Sequence, residues 1–322
     1  MILVCGGAGY IGSHMVYKLV EEDEDVCIID NLSTGKKKLI HPDVKFYEGN
    51  IEDDKLMDKI FSENDINSVI HFAAFSQVGE SVEKPIKYYK NNVYATMKLL
   101  DSMVRNDVKN IVFSSTAAIF GDVKKMPITE DIKKSPTSPY GETKLAIEKM
   151  MHWMDNIDKI NYVSLRYFNV AGAHHSSKIG EAHEPESHLI PIVLQVALDK
   201  RDKIYIFGDD YNTKDGTCIR DYIHVQDLAD AHLLSVKYLR NNGESEVFNL
   251  GNGEGFSVKE IIEASRKVTN KEIIAEIADR RLGDPAKLIA SSKKIKDKLG
   301  WEPKYTKIED IIRSAWNWHK KG

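Results

Sequence analysis

The chain has 322 residues, 42% of them hydrophobic, and a formal net charge of −4, enough length for one large core or two smaller ones. Its lysine runs, such as Lys36 to Lys38 and Lys293-Lys294, are too short to form a basic surface, which argues against nucleic acid or anionic lipid as partners. No apolar stretch approaches the roughly 20 residues that span a membrane, nothing resembles a signal peptide, and Cys5, Cys27 and Cys218 are too scattered for a disulfide framework, so a reducing cytoplasm is expected.

Residues 1–5 read as a buried strand, followed by Gly6-Gly7-Ala8-Gly9-Tyr10-Ile11-Gly12 opening an amphipathic helix to about Glu22. Glycines in such a strand-turn-helix unit let backbone N–H groups approach a pyrophosphate at the positive end of the helix dipole. The next strand, residues 26–29, leads into Asp30-Asn31. An acid about twenty residues beyond the glycines suits an adenosine ribose and repels a 2′-phosphate, which points to NAD over NADP. Strands follow at 44–47, 68–72, 110–114 and 162–167. Helices are expected from Gly49–Asp53 to about Phe61, from Pro85 to about Asn106, and from Ser138-Pro139 onward. This alternation predicts an α/β fold with a parallel, doubly wound sheet.

Beyond Asn169 the alternation loosens into a second, smaller α/β lobe, which divides the chain into residues 1–170 and mainly 171–322. A helix at about 225–239 and a strand at 246–250 are expected to return to the main sheet. His174, His175, His183 and His188 lie in a polar stretch with no finger or helix-face spacing, and no metal is expected there.

Tyr-x-x-x-Lys occurs twice, at Tyr94/Lys98 and Tyr140/Lys144, and on a helix it sets a phenol one turn from an ammonium. Such a neighbour favours the phenolate, making the Tyr a candidate base. Thr116 selects the second copy, because it places a hydroxyl where a central strand ends, just before the helix that carries Tyr140. Tyr94/Lys98 sits on an apolar stripe with Val93, Met97 and Leu100 and reads as packing.

These features, together with Val78-Gly79-Glu80-Ser81-Val82, Arg166-Tyr167-Phe168-Asn169, Arg220-Asp221-Tyr222-Ile223-His224 and Arg280-Arg281-Leu282-Gly283-Asp284, resemble the UDP-glucose (UDP-galactose) 4-epimerase family of the extended short-chain dehydrogenase/reductase superfamily, essentially end to end. The resemblance implies a Rossmann-type NAD domain and a lobe that binds a UDP-sugar. In the implied reaction Tyr140 is the base, Lys144 holds the phenolate and the nicotinamide ribose, and Thr116 binds the sugar 4-oxygen. For NAD it implies Gly6, Gly9, Tyr10, Ile11, Gly12, Asp30, Asn31, Gly35, Asn50, Ile51, Phe72, Ala73, Ala74, Ser76, Asn92 and Tyr167. For the nucleotide sugar it implies Asn169, Leu189, Tyr205, Phe207, Arg220, Tyr222, Arg281 and Asp284. Leu288 stands near where an aromatic can crowd the sugar 2-position, which leaves an N-acetylated substrate as the alternative. Ala117-Ala118 follow Thr116 where the related 4,6-dehydratases carry an acid pair, and two methyls cannot move protons. A homodimer is expected through the Pro85 and Tyr140 helices, by way of Tyr94, Met97, Met103, Ile147, Met151 and Met154.

Overall fold

The structure, a computed structural model, describes residues 1–281 and 284–321. In chain order the first half runs β1 (Ile2–Cys5), α1 (Tyr10–Glu21), β2 (Val26–Asp30), β3 (Lys45–Glu48), α2 (Asp54–Glu63), β4 (Ser68–His71), α3 (Val78–Glu83), α4 (Pro85–Tyr88), α5 (Ala95–Arg105), β5 (Asn110–Thr116), α6 (Pro139–Asp155) and β6 (Asn161–Tyr167). The second half runs β7 (Asn169–Ala171), α7 (Leu189–Ala197), β8 (Ile204–Phe207), β9 (Ile219–His224), α8 (Val225–Arg240), β10 (Glu246–Leu250), β11 (Gly255–Ser257), α9 (Val258–Thr269), β12 (Ala275–Ala278), β13 (Lys287–Leu288), α10 (Lys293–Leu299) and α11 (Ile308–His319).

Seven strands form one parallel sheet in the order β10-β6-β5-β4-β1-β2-β3. β1, β2 and β4 are buried along their whole length, as strands covered on both faces must be, which suits the apolar run of β1 and the apolar middles of β2 and β4. One layer packs α1 and α8 through Met15, Leu19, Leu228 and Val236; the other packs α2, α5 and α6 through Met57, Ile60, Leu99, Met103, Ile147 and Met151. Strand order reverses between β1 and β4, so the crevice at their carboxyl ends is where such a sheet takes a ligand. α8 and β10 do return to this sheet, with Phe248 and Leu250 in its core.

The second lobe has its own core of Ile190, Val193, Leu194, Ile261, Ile311 and Trp316 from α7, α9 and α11. Its strands are short: β8 pairs β12, while β9 is flanked by β7, β11 and β13.

Two details differ from the sequence-based expectation. The helix opened by Pro85 is not uniformly α: Tyr89–Tyr94 widens into a π segment between α4 and α5, and that segment contains the fully buried Asn92. Met103, Ile147 and Met151, expected at a subunit contact, turn instead into the chain's own core, because α5 and α6 need those stripes to cover the sheet. The large apolar side chains left outside on α3, on α4 to α5 and on α6 are Val78, Val82, Ile86, Tyr89, Tyr94, Met97 and Trp153, with Ile157 just beyond α6.

Candidate active site

The glycine turn at the switch point is sterically closed. Gly6 has φ +84°, and a Cβ there would meet the Ala73 nitrogen at 2.7 Å; one at Gly12 would meet the Gly6 oxygen at 2.1 Å. Backbone alone therefore fills the space between β1, α1 and the end of β4, bringing Gly6, Gly9 and Gly12 beside Phe72 and Ala73, whose N–H groups both donate to the Cys5 carbonyl. Gly9 caps α1 without a side chain, so the first N–H groups of the helix, including those of Tyr10 and Ile11, face the crevice without an internal partner. The Tyr10 phenol is engaged elsewhere, donating to the Gly172 carbonyl at 2.6 Å.

At the end of β2, Asp30 accepts from Ala8 N–H at 2.9 Å and Leu32 N–H at 2.8 Å. Burial pushes its carboxyl pKa up, and these two bonds oppose the rise. A Cβ on Gly35 would come within 2.8 Å of Asp30 Oδ1, so Gly35 keeps the carboxylate clear. Asn31 Nδ2 donates to Asn50 Oδ1 at 2.5 Å, which leaves that oxygen one lone pair for another donor. Asn92 spends its amide on the Phe75 backbone, at 2.9 and 3.0 Å, and on Thr143 at 3.2 Å; it braces the loop after β4, on which Ala74 and the exposed Ser76 lie. Ile51 is buried beneath Asn50 in the sheet's core. Bare helix N–H groups, a glycine cradle and a strand-end carboxylate together fit a dinucleotide.

The candidate reacting groups come from α6 and the end of β5. Ser138 caps α6, its Oγ accepting from Gly141 N–H at 3.2 Å, and Pro139 at the first helical position presets the entry. Tyr140 lies in the first turn of this helix, which packs against the end of β5 where Thr116 stands. Gly141 makes this approach possible, since a Cβ there would lie 2.6 Å from the Ala118 carbonyl oxygen. Thr116 Oγ1 accepts from Ala118 N–H at 3.2 Å, which keeps its own proton available to donate. One turn on, the buried Lys144 donates to the Ser114 carbonyl at 2.7 Å. The Ser114 hydroxyl bonds the Tyr167 phenol, placing Tyr167 under the same strand end.

The electrostatics differ from the sequence-based expectation. Burial pushes the Tyr140 phenol pKa up, with the Thr116 hydrogen bond opposing it, and burial also pushes Lys144 down to about 7. Desolvation thus outweighs the help that Lys144 was expected to give the phenolate. One further turn along α6, Glu148 forms a buried pair with Arg166, at 2.6 and 2.9 Å, and accepts from Ser115 at 2.6 Å. Glu148 and Gly141 extend the Tyr140/Lys144 face, and the four-residue spacing from Lys144 to Glu148 is a signal already present in the sequence.

The second lobe supplies the opposite wall. The Arg281 guanidinium lies 3.8 Å from the Phe207 ring centre, and Tyr205 projects from the same face of β8. Arg220 pairs with Asp284 at 3.1 Å and donates to the Pro285 carbonyl at 2.8 Å. Tyr222 is buried opposite Asn169, Leu288 lies opposite Arg220, and Leu189 opens α7. Leu282 and Gly283 lie outside the described residues. Arg280, not singled out from sequence, pairs with Asp210 at 2.6 Å and stacks on Tyr211 at 4.0 Å. Asp221 accepts from three backbone N–H groups, of Asn252, Gly253 and Ala290, and frames the wall from behind, its pKa pushed by burial up to about 6.

A family model described as GDP-mannose 4,6 dehydratase matches residues 3–315. A UDP-glucose 4-epimerase of Halalkalibacterium halodurans is 60% identical over 320 residues, covering 99% of this chain and 96% of that protein. A crystal structure of a UDP-glucose 4-epimerase superposes with a TM-score of 0.98 at 57% identity, covering 99% of this chain and 97% of that one. The UDP-glucose 4-epimerase of Bifidobacterium longum, solved in complex with NAD+ and UDP, superposes with a TM-score of 0.93 at 40% identity over 99% of this chain and 98% of that one.

Proposed function

The chain belongs to the UDP-glucose 4-epimerase family, in the extended short-chain dehydrogenase/reductase superfamily, and from that premise we infer how its residues share the work. It is an NAD-dependent isomerase that interconverts UDP-galactose and UDP-glucose by transient oxidation at C4. The observation that carries the assignment of roles is that Tyr140 opens α6 and Thr116 ends the β5 strand against which α6 packs, beside the crevice that the glycine turn and Asp30 prepare for a dinucleotide.

NAD, when bound, supplies the hydride acceptor and donor and, as NAD+, a positive charge. Tyr140 takes the proton from the sugar 4-OH and later returns it. Thr116 donates to the 4-oxygen and keeps it in line with the phenol. Lys144, tied to Ser114, holds the nicotinamide ribose and Tyr140 in register. The helix N–H groups of Tyr10 and Ile11 with Gly6, Gly9 and Gly12 hold the pyrophosphate, and Asp30 with Asn31 and Gly35 holds the adenosine ribose. Asn50 and Ile51 border the adenine; Phe72, Ala73, Ala74, Ser76, Asn92 and Tyr167 close the nicotinamide side. Arg220 and Arg281 grip the diphosphate, Phe207 stacks on uracil, and Asn169, Leu189, Tyr205, Tyr222 and Asp284 complete the substrate wall. Residues 1–170 with about 225–250 form the cofactor domain, and most of 171–322 the sugar lobe. Three buried, unpaired thiols suit a cytoplasmic enzyme, and the apolar side chains exposed on α3 to α6 suit a homodimer.

The dehydratase reading is disfavoured by Ala117 and Ala118, which put methyls where a second acid and base would be needed. A second substrate class, the N-acetylated UDP-hexoses, is favoured by Leu288 lying beside Arg220 without an aromatic to crowd the site.

The test is incubation of UDP-galactose with the purified protein and no added oxidant, which is expected to yield UDP-glucose. Tyr140→Phe is expected to lose roughly 10²-fold or more in rate while retaining nucleotide; a near-wild-type rate would remove Tyr140 from the mechanism.

A further inference from the structure

The connection from β7 to α7, residues 172–188, carries four histidines and three glutamates. Its linear spacing matches no metal motif, but the folded loop doubles back on itself. Glu181, His183, Glu186 and His188 each turn one donor atom inward, and the four atoms lie within 4.8 Å of one another. Glu181 is the hub: its Oε1 is 2.5 Å from His188 Nδ1 and 2.9 Å from His183 Nδ1, while Glu186 Oε1 is 3.2 Å from His188 Nδ1.

The two carboxylates are almost withdrawn from water, with side chains 3% and 4% exposed. Two carboxylates this close and this far from water favour a cation between them, either a protonated His188 or an added ion in its place. Two imidazole nitrogens and two carboxylates, with no thiolate, form a borderline nitrogen and oxygen set that suits Zn2+. Donors on a tetrahedral ion with bonds of ~2.0–2.1 Å stand about 3.4 Å apart. The contacts present, from 2.5 to 3.2 Å, are shorter than that, so binding requires the donors to move apart.

The loop is also anchored from outside. Tyr10 donates to the Gly172 carbonyl, Trp318 Nε1 donates to the Glu181 carbonyl at 2.8 Å, and Lys36 pairs with Glu184 at 2.8 Å. The His183 ring meets the Tyr10 ring edge-on at 6.1 Å, and His188 is the residue on which α7 begins. A second trio, Glu21 with His174 and His175, is looser, at 3.1 and 4.0 Å, and its Glu21 and His175 are exposed.

We propose that Glu181, His183, Glu186 and His188 form a site for one divalent cation of the zinc type, which pins the 172–188 connection between the first turn of α1 and the start of α7. The cation is structural in this role: it joins the helix that faces the cofactor crevice to the helix that opens at Leu189.

The full-length protein with its bound nucleotide is stripped with a chelator, loaded with Zn2+ alone, passed through gel filtration and assayed for metal. About one zinc per chain is expected, with an apparent Tm higher by about 5 °C. His183→Gln and His188→Gln are expected to lose both the zinc and the Tm response, and His175→Gln to keep both. Negligible retained zinc would overturn the proposal, leaving an imidazolium held between two carboxylates. Zinc retained in His183→Gln but lost in His175→Gln would overturn it in favour of the Glu21 trio. Should the variants fail to fold, Co2+ added to the stripped wild-type protein decides: intense tetrahedral visible absorption displaced by Zn2+ supports the site, and a weak octahedral spectrum overturns it.

Discussion

The place proposed for Tyr140 as the base depends on the glycine that follows it. Gly141 lets the start of α6 approach the Ala118 carbonyl, two residues beyond Thr116, with no room for a Cβ. Gly141→Ala must push the helix start away, and displacement by a fraction of an ångström at a reacting group is costly, so a fall in kcat of roughly 10-fold or more is expected with nucleotide content unchanged; kcat measured beside the released nucleotide checks this. Lys144 carries a second consequence. Burial lowers its pKa to about 7 in the fold from an ordinary value of 10.5, so between these limits the unfolded chain binds more protons and stability rises with pH. The penalty of burying the charged amine is full below pH 7 and relieved toward pH 10. In nucleotide-free protein, the urea midpoint of the wild type should gain on that of Lys144→Met as pH is raised from about 7 to about 9; parallel profiles would contradict the shift.

At the scale of elements, the π segment Tyr89–Tyr94 is the least expected feature. A helix running from Pro85 was legible from its apolar stripe, but its widening was not, since it coincides with a tertiary contact in which Asn92 clamps the Phe75 backbone. Asn92→Ala leaves that N–H and C=O without their partner, a loss of about 1–3 kcal/mol. A lower Tm together with faster nucleotide release is expected; unchanged release would confine Asn92 to stability. α6 behaves in the opposite way. Its cap Ser138, its Pro139 and its active face were all readable from sequence, because capping and four-residue periodicity are local. The Glu148–Arg166 pair that braces this face was not readable, since its partners come from a helix and the strand after it.

For the whole molecule, the exposed apolar surface on α3 to α6 is where a second copy would pack. Ile86 is 82% exposed and Trp153 70%, which is unusual for side chains so large on adjoining helices. Ile86→Glu combined with Trp153→Glu should convert a dimer into a monomer in light scattering without unfolding either lobe. A wild type that is already monomeric in dilute solution would contradict this interface. The residues first expected there were half wrong: the stripe of Met103, Ile147 and Met151 is apolar because it faces the sheet. Periodicity reports that a face is buried and is silent on whether the chain's own core or a partner buries it.

The sequence by itself determined the alternation of strands and helices, the glycine turn, and the place of Asp30 at the end of β2. Each rests on local spacing or on the order of elements, and both survive in one dimension. Only the tertiary structure decided that burial raises the Tyr140 phenol and lowers Lys144, because desolvation depends on what packs around a group. Only the tertiary structure also gathered Glu181, His183, Glu186 and His188, since a loop brings together donors that no helical or strand period would align.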